Sequence, residues 1–201
     1  MLSRKLNVGC GFFKIPGYVN VDSAVSSEPD FLHDLNIFPY SFEDSWFTNV
    51  EMNHALEHLE DPFAVMREID RILQFGGELI VRVPHFSRGF THADHKRGFD
   101  ITFPLFFQPN FPPWFSGVHF ELSSIKLRWY AQPYLKRFVV GRFTDFVLRG
   151  IGTVLDAFAN LSPAACSRIW CYWVGGFEKL EMRFRKPGAI PREVPHKESS
   201  T

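Results

Sequence analysis

Short apolar runs, each closed by a turn, an acid or a proline, follow one another through the first half of the chain. Residues 5–8 (KLNV) run into Gly9, and residues 18–21 (YVNV) run into Asp22. A weaker run at 30–33 is stopped by DLN and then Pro39. Residues 48–52 lead into the polar NHALEH, and residues 78–83 (ELIVRV) are broken by Pro84. Each has the length and character of a buried strand. Between the last two, Phe63, Val65, Met66, Ile69, Ile72 and Leu73 recur at helical spacing over residues 62–74. Asp61 stands where an N-cap belongs, Pro62 in the first turn and Gly76-Gly77 at the stop.

Beyond residue 86 the pattern changes. The polar, histidine-rich SRGFTHADHKRGFD precedes a proline-aromatic stretch, and residues 119–130 then read as a strand. Phe143, Phe146, Val147, Gly150, Ile151, Val154, Leu155 and Phe158 repeat at helical spacing, interrupted by Arg142, Asp145, Arg149 and Asp156. That is an amphipathic helix, expected to pack on the sheet, with a homodimer contact or a membrane surface as its other uses. Residues 177–185 (FEKLEMRFR) read as a last strand.

Strands that alternate with short connections and helices predict an α/β fold with a doubly wound, mostly parallel sheet. Ligands bind such sheets beyond the carboxyl ends of the strands. Gly9-Cys10-Gly11, Asp22, Asp34, Asn53-His54 and His85 all follow predicted strands, so they converge on one edge.

Composition narrows the partners. The chain has 201 residues, 45% of them hydrophobic, enough for one substantial core. Lysine plus arginine and aspartate plus glutamate both number 22, a balance that predicts no broad electrostatic footprint for nucleic acid or an anionic membrane. Cys10, Cys166 and Cys171 lack zinc-ribbon or redox spacing, which predicts a reduced, cytoplasmic protein. Gly9 and Gly11 interrupt any signal-peptide core, and Pro104, Pro109, Pro112 and Pro113 exclude a membrane-spanning helix from residues 101–118. The aromatic residues concentrate after residue 85 and are expected to form an apolar lid or partner surface.

A Gly-x-Gly turn after a strand lets backbone approach a ligand, and an acid ending the next strand can bind a ribose diol. Gly9, Gly11 and Asp22 supply these elements. Together with GYVNVD, HDL, NHALEHLEDP and EIDRILQFGGELIVRVP, in this order, LNVGCG resembles the class I S-adenosylmethionine-dependent methyltransferases of the type-11-like branch. The resemblance covers about residues 5–86 and is only general beyond. It implies a Rossmann-like, seven-stranded sheet with an antiparallel last strand, and S-adenosyl-L-methionine as cofactor. It assigns Gly9, Cys10 and Gly11 to the methionine and ribose, Asp22 to the ribose hydroxyls, and Asp34 and the Leu35 backbone to the adenine. Asn53 and His54 fall near the methionine end or the reacting centre. The implied division is residues 1–86 for the cofactor, 87–186 for an acceptor lid that completes the sheet, and 187–201 as a flexible tail.

Two positions depart from the family. Asn7 stands where an acid commonly helps hold the methionine ammonium, and Phe13 where a third glycine commonly opens a helix. The acid also follows the turn far sooner than in a dinucleotide-binding fingerprint, which argues against a pyrophosphate cofactor and hydride transfer. A methyltransferase of an unidentified acceptor is the expected function, the acceptor being a sugar, glycolipid or small metabolite. A non-catalytic protein of the same fold is the rival.

Six of the eight histidines lie between His54 and His119. HALEH matches the inverted zinc-peptidase pattern, but it follows a strand and is cut short at Asp61-Pro62, so no metal is expected there. His95 and His85 are the expected base or acceptor-positioning groups, with His54 beside them, since a neutral imidazole suits removal of an acceptor proton.

Overall fold

The computed structural model describes residues 3–89, 92–111, 113–173 and 176–188. Nearly all of the expected tail lies outside the described residues. The sheet has seven strands in the order β3-β2-β1-β4-β5-β7-β6. They are β1 (Lys5–Val8), β2 (Val19–Asp22), β3 (Phe31–Leu32), β4 (Phe47–Asn53), β5 (Leu73–Pro84), β6 (Glu121–Arg128) and β7 (Lys179–Arg185). Strands β1 to β5 are parallel, and β7 runs antiparallel between β5 and β6. The chain starts mid-sheet, steps outward to β3 and crosses back to β4, which puts the topological switch between β1 and β4.

The alternation of the strands builds the core. Leu6, Val8, Val19, Val21, Val50, Met52, Leu79, Val81, Val83, Leu180, Met182 and Phe184 are all buried. Helix α1 (Pro62–Ile72) covers part of it with Val65, Met66, Ile69 and Ile72. The Asp61 carboxylate accepts from the Phe63 and Ala64 amides at 2.8 and 3.0 Å, the cap its position predicts. The helix ends two residues before the expected Gln74, because Leu73 already pairs with Phe47 of β4.

No helix lies between β1 and β2, as the missing third glycine leads one to expect; residues 9–18 form turns and loop. The proline-aromatic stretch gives Phe103 and Phe107 to the core, beside Phe99 and Phe120 that flank it, while Leu105, Trp114 and Phe115 stay exposed; the Phe107 and Phe120 rings contact Phe184 at 5.9 and 5.8 Å. The C-terminal helices differ from expectation. After α2 (Phe86–Gly89), α3 (Pro133–Val140) leads into α4 (Arg142–Ala159) and then α5 (Pro163–Arg168). As expected, α4 lies against the sheet, at the edge strand β6, but not by its apolar face. Its buried residues are Asp145, Gly152, Asp156 and Ala159, whereas Phe143, Phe146, Val147, Ile151, Val154 and Phe158 are exposed. The two aspartates decide this orientation: Asp145 accepts from the Tyr130 hydroxyl at 2.9 Å, and Asp156 from the Trp129 amide at 2.7 Å.

Candidate active site

Two adjoining clefts open at the carboxyl ends of β1, β2 and β4, and they share Gly9, Gly11 and His54. Gly9 has φ of +68°, and a Cβ there would stand 2.4 Å from the Ala55 Cβ, so only glycine fits. Gly11, at φ +47°, faces open space. The Gly9 and Cys10 amides both donate to the Val21 carbonyl, which holds the turn against β2. Burial, aided by the Asp22 charge, raises the Cys10 thiol pKa.

In one cleft Asp22, Asp34 and Leu35 line the wall with Ser23, Asn36 and His58. The Asp22 carboxylate is fixed by the Gly11 amide at 2.7 Å and the Ala24 amide at 2.9 Å, one on each oxygen. Asp34 accepts from the Asn36 amide at 2.9 Å. The Tyr40 hydroxyl donates to the Leu35 carbonyl at 2.9 Å and anchors that loop.

The other cleft is lined by Asn7, Phe12, Phe13, Asn53, Arg82, Gln132, Tyr134 and Lys179 among others. Asn7 is buried, and its amide donates to the Phe13 carbonyl at 3.1 Å and to Asn20 at 2.9 Å. Asn20 also accepts from the Ile15 amide at 2.8 Å and donates to Asp30 at 2.7 Å. A side-chain amide network thus holds the loop where a helix would otherwise stand. Asn53 accepts from Arg82 at 2.6 Å, and Arg82 also meets Glu51 and Glu181 at 2.7 Å each.

His54 follows β4 in the left-handed region, at φ +53°, as Glu28, Ser45 and Gln132 do elsewhere in the chain. Its Nδ1 lies 3.3 Å from Oε1 of Glu57, which is fully buried in the turn Leu56–His58. His95 approaches the same carboxylate, its Nε2 3.9 Å from Oε1. His54 and His95 therefore gather around Glu57, beside the clefts. His58, His92 and Asp94 adjoin them, and Glu57, His58 and His95 have donor atoms close enough to hold a metal ion.

His85 does not join them. It is fully buried, with Ser87 Oγ 2.7 Å from Nδ1 and Ser167 Oγ 2.8 Å from Nε2, and lines neither cleft. Burial lowers its pKa to about 4. The expectation of His85 as base is corrected: the strand end that carries it is covered by α5.

Arg82, Gln132, Tyr134 and Lys179 were missed by the sequence reading. Lys179 pairs with Pro84 at the start of antiparallel β7, so it reaches the same edge as the ends of the parallel strands. The antiparallel last strand implied by the resemblance was the signal for it. Burial pushes the Lys179 pKa below the ordinary lysine value.

Residues 19–81 match a family model described as a methyltransferase domain. Among solved structures, the chain is similar to a SAM-dependent methyltransferase from Archaeoglobus fulgidus. Their TM-score is 0.59 at 14% identity, with 92% of this chain and 86% of that one covered. A putative methyltransferase from Bacillus halodurans gives a TM-score of 0.56 at 16% identity, covering 91% and 92%. The [4+2]-cyclase SpnF gives 0.53 at 16%, covering 94% and 76%. No curated protein matches the sequence significantly. Both the sheet order and these likenesses show one fold.

Proposed function

We propose, taking the chain as a class I S-adenosylmethionine-dependent methyltransferase by its fold and the domain matched over residues 19–81, that it methylates a sugar, glycolipid or small metabolite, most simply at a hydroxyl. The observation that carries this reading is the meeting of two clefts at Gly9, Gly11 and His54. One is walled by carboxylates, the other by Arg82, Lys179 and aromatic rings.

The residues fit the cofactor. Gly9 and Gly11 keep side chains out of its path, and Asp22, pinned by two amides, retains lone pairs for a ribose diol. Asp34 and Leu35 are assigned to the adenine end, and Asn7, Cys10 and Asn53 to the methionine end. When bound, S-adenosylmethionine supplies a methyl group made electrophilic by its sulfonium. The protein's part is to hold the acceptor in line and accept its proton. His54 is assigned that proton: Glu57 holds Nδ1, which leaves Nε2 for the acceptor. His95, across Glu57, is assigned to acceptor positioning, which it exerts through the ion site inferred below. Phe12, Phe13 and Tyr134 at the second cleft support a sugar or glycolipid face. The three buried, unpaired thiols support a cytoplasmic location.

Calorimetric titration with S-adenosylhomocysteine tests the reading. Binding is expected, and Asp22→Ala should weaken it about tenfold or more, as loss of charge-assisted hydrogen bonds does. His54→Asn should leave that affinity within about twofold while slowing transfer about a hundredfold, the scale of a lost general base. The competing non-catalytic reading is favoured by Asn7, whose amide is engaged in the loop. It predicts no binding at all.

A further inference from the structure

We propose that Glu57, His58 and His95 form a divalent-metal site, with zinc the best-matched ion. HALEH and HADH are far apart in sequence, and the fold brings them together. One donor atom from each of the three residues lies within 4.8 Å of the others. The 3.9 Å between His95 Nε2 and Glu57 Oε1 is too long for a hydrogen bond. It is a few tenths of an ångström beyond the roughly 3.3–3.6 Å between two tetrahedral ligands at about 2.0–2.2 Å from one ion, so a bound ion draws the pair slightly together. Glu57 Oε2 is buried and has no hydrogen-bond partner among the described residues, a costly state that a cation held by both carboxylate oxygens would relieve.

The surroundings have the form of an outer shell. His58 Nδ1 lies 3.2 Å from the Asp94 carbonyl, the contact that fixes a ligating imidazole and leaves Nε2 for the metal. Glu57 Oε1 is held by His54. The Lys96 amide donates to the Glu57 carbonyl at 3.0 Å, and Arg97 to the Glu60 carbonyl at 2.9 Å, so the two segments are clamped before any ion binds. His92 and Asp94 lie within the same 4.8 Å reach of His95 and offer a further ligand. Two imidazoles and a carboxylate favour zinc over magnesium or calcium. The site borders the cleft that His58 lines, and uses His58 and Glu57 without His54, unlike the peptidase pattern.

The test uses the full-length, tag-free protein. Elemental analysis should find about one zinc ion per chain, and cobalt added to chelator-stripped protein should give a visible absorption band. His58→Ala and His95→Ala should each weaken zinc binding about tenfold or more, a loss at least that of an outer-shell partner. His119→Ala should leave it unchanged. Absence of zinc and of the cobalt band, or an affinity unmoved by both ligand substitutions, overturns the site. Affinity for S-adenosylhomocysteine is a separate readout, so this failure is distinct from that of the methyltransferase reading.

From an independent observation, we infer that the outward face of α3, α4 and α5 seats the protein on an anionic lipid surface. Phe138, Val139, Phe143, Phe146, Val154 and Trp173 are each more than half exposed. Such a face on a helix whose aspartates point inward is a built surface rather than scattered exposure. Its charge is locally positive although the whole chain is balanced. Within residues 133–173 the acids, Asp145 and Asp156, are both buried; Arg149 pairs with Asp145 and Arg168 with Asp100, which leaves Arg137 and Arg142 as the exposed positive charges. Aromatic and apolar residues bordered by arginine characterise helices that lie in a bilayer interface. No helix among the described residues is long and apolar enough to cross a membrane, so the contact is peripheral. Tyr134 joins this face to the second cleft, which brings the cleft to the lipid surface.

Flotation with vesicles of phosphatidylcholine containing phosphatidylglycerol should recover the protein. Recovery should fall with added salt and on pure phosphatidylcholine. Phe143→Ser with Phe146→Ser should weaken binding about tenfold or more, as expected for two lost buried rings. Both rings are exposed, so thermal stability should hold. Failure to float on anionic vesicles overturns the inference. A dimer in sedimentation that the double variant dissociates, with no vesicle binding, would assign the face to a second copy of this chain.

Discussion

At Gly9 the demand on a single residue is geometric, since a Cβ would overlap Ala55 at 2.4 Å. At Asp22 it is electrostatic, with one amide on each carboxylate oxygen. His85 makes a third kind of demand, for neutrality. Its pKa of about 4 lies below that of an unfolded histidine, so between about pH 4 and 6.5 the unfolded chain binds the extra proton. Its contribution is therefore complete above about pH 6.5 and is lost as the pH falls through 4, roughly 3 kcal/mol in all. Urea denaturation at pH 7 and pH 5 should show this slope, and His85→Gln should flatten it. The place of Asp22, at the end of β2 and facing the glycine turn, was legible because strand and turn are local patterns. His85 was misplaced, since chain order cannot say that α5 would cover it.

At the scale of elements, the loop at residues 9–18 replaces a helix through side-chain amides. Asn20 binds Ile15, Asn7 and Asp30 at once, and Asn7 reaches Phe13. Asn20→Ala should cost about 2–3 kcal/mol, because it leaves buried partners unpaired. Denaturant midpoints would measure that cost. Cofactor affinity should fall with it, since the same loop carries Gly11 and Phe13. The lost helix was visible in the sequence as a missing third glycine, but its substitute was not, because Asn7 and Asn20 meet only once β1 and β2 pair. The inversion of α4 was equally hidden. Helical periodicity states that a helix has two faces; Tyr130 and Trp129, bound to Asp145 and Asp156, decide which one turns inward.

Across the whole molecule, Arg82 joins the parallel half of the sheet to its antiparallel end, binding Glu51 of β4 and Glu181 of β7. Arg82→Met should cost about 2–3 kcal/mol, somewhat less than breaking a fully buried pair, as these groups retain some solvent. A lower thermal midpoint, with the fold retained by circular dichroism, would check this. By itself the sequence determined the strands, α1 with its cap, the parallel architecture and the turn-and-acid edge. These follow from local periodicity, glycine and proline chemistry, and the rule that strand ends bear ligands. Only the tertiary structure decided that HALEH meets HADH around Glu57, that Lys179 enters the cleft, that His85 is sealed away and that α4 faces outward. Each of these depends on which surfaces touch, and a contact between residues distant in the chain leaves no periodic signal along it.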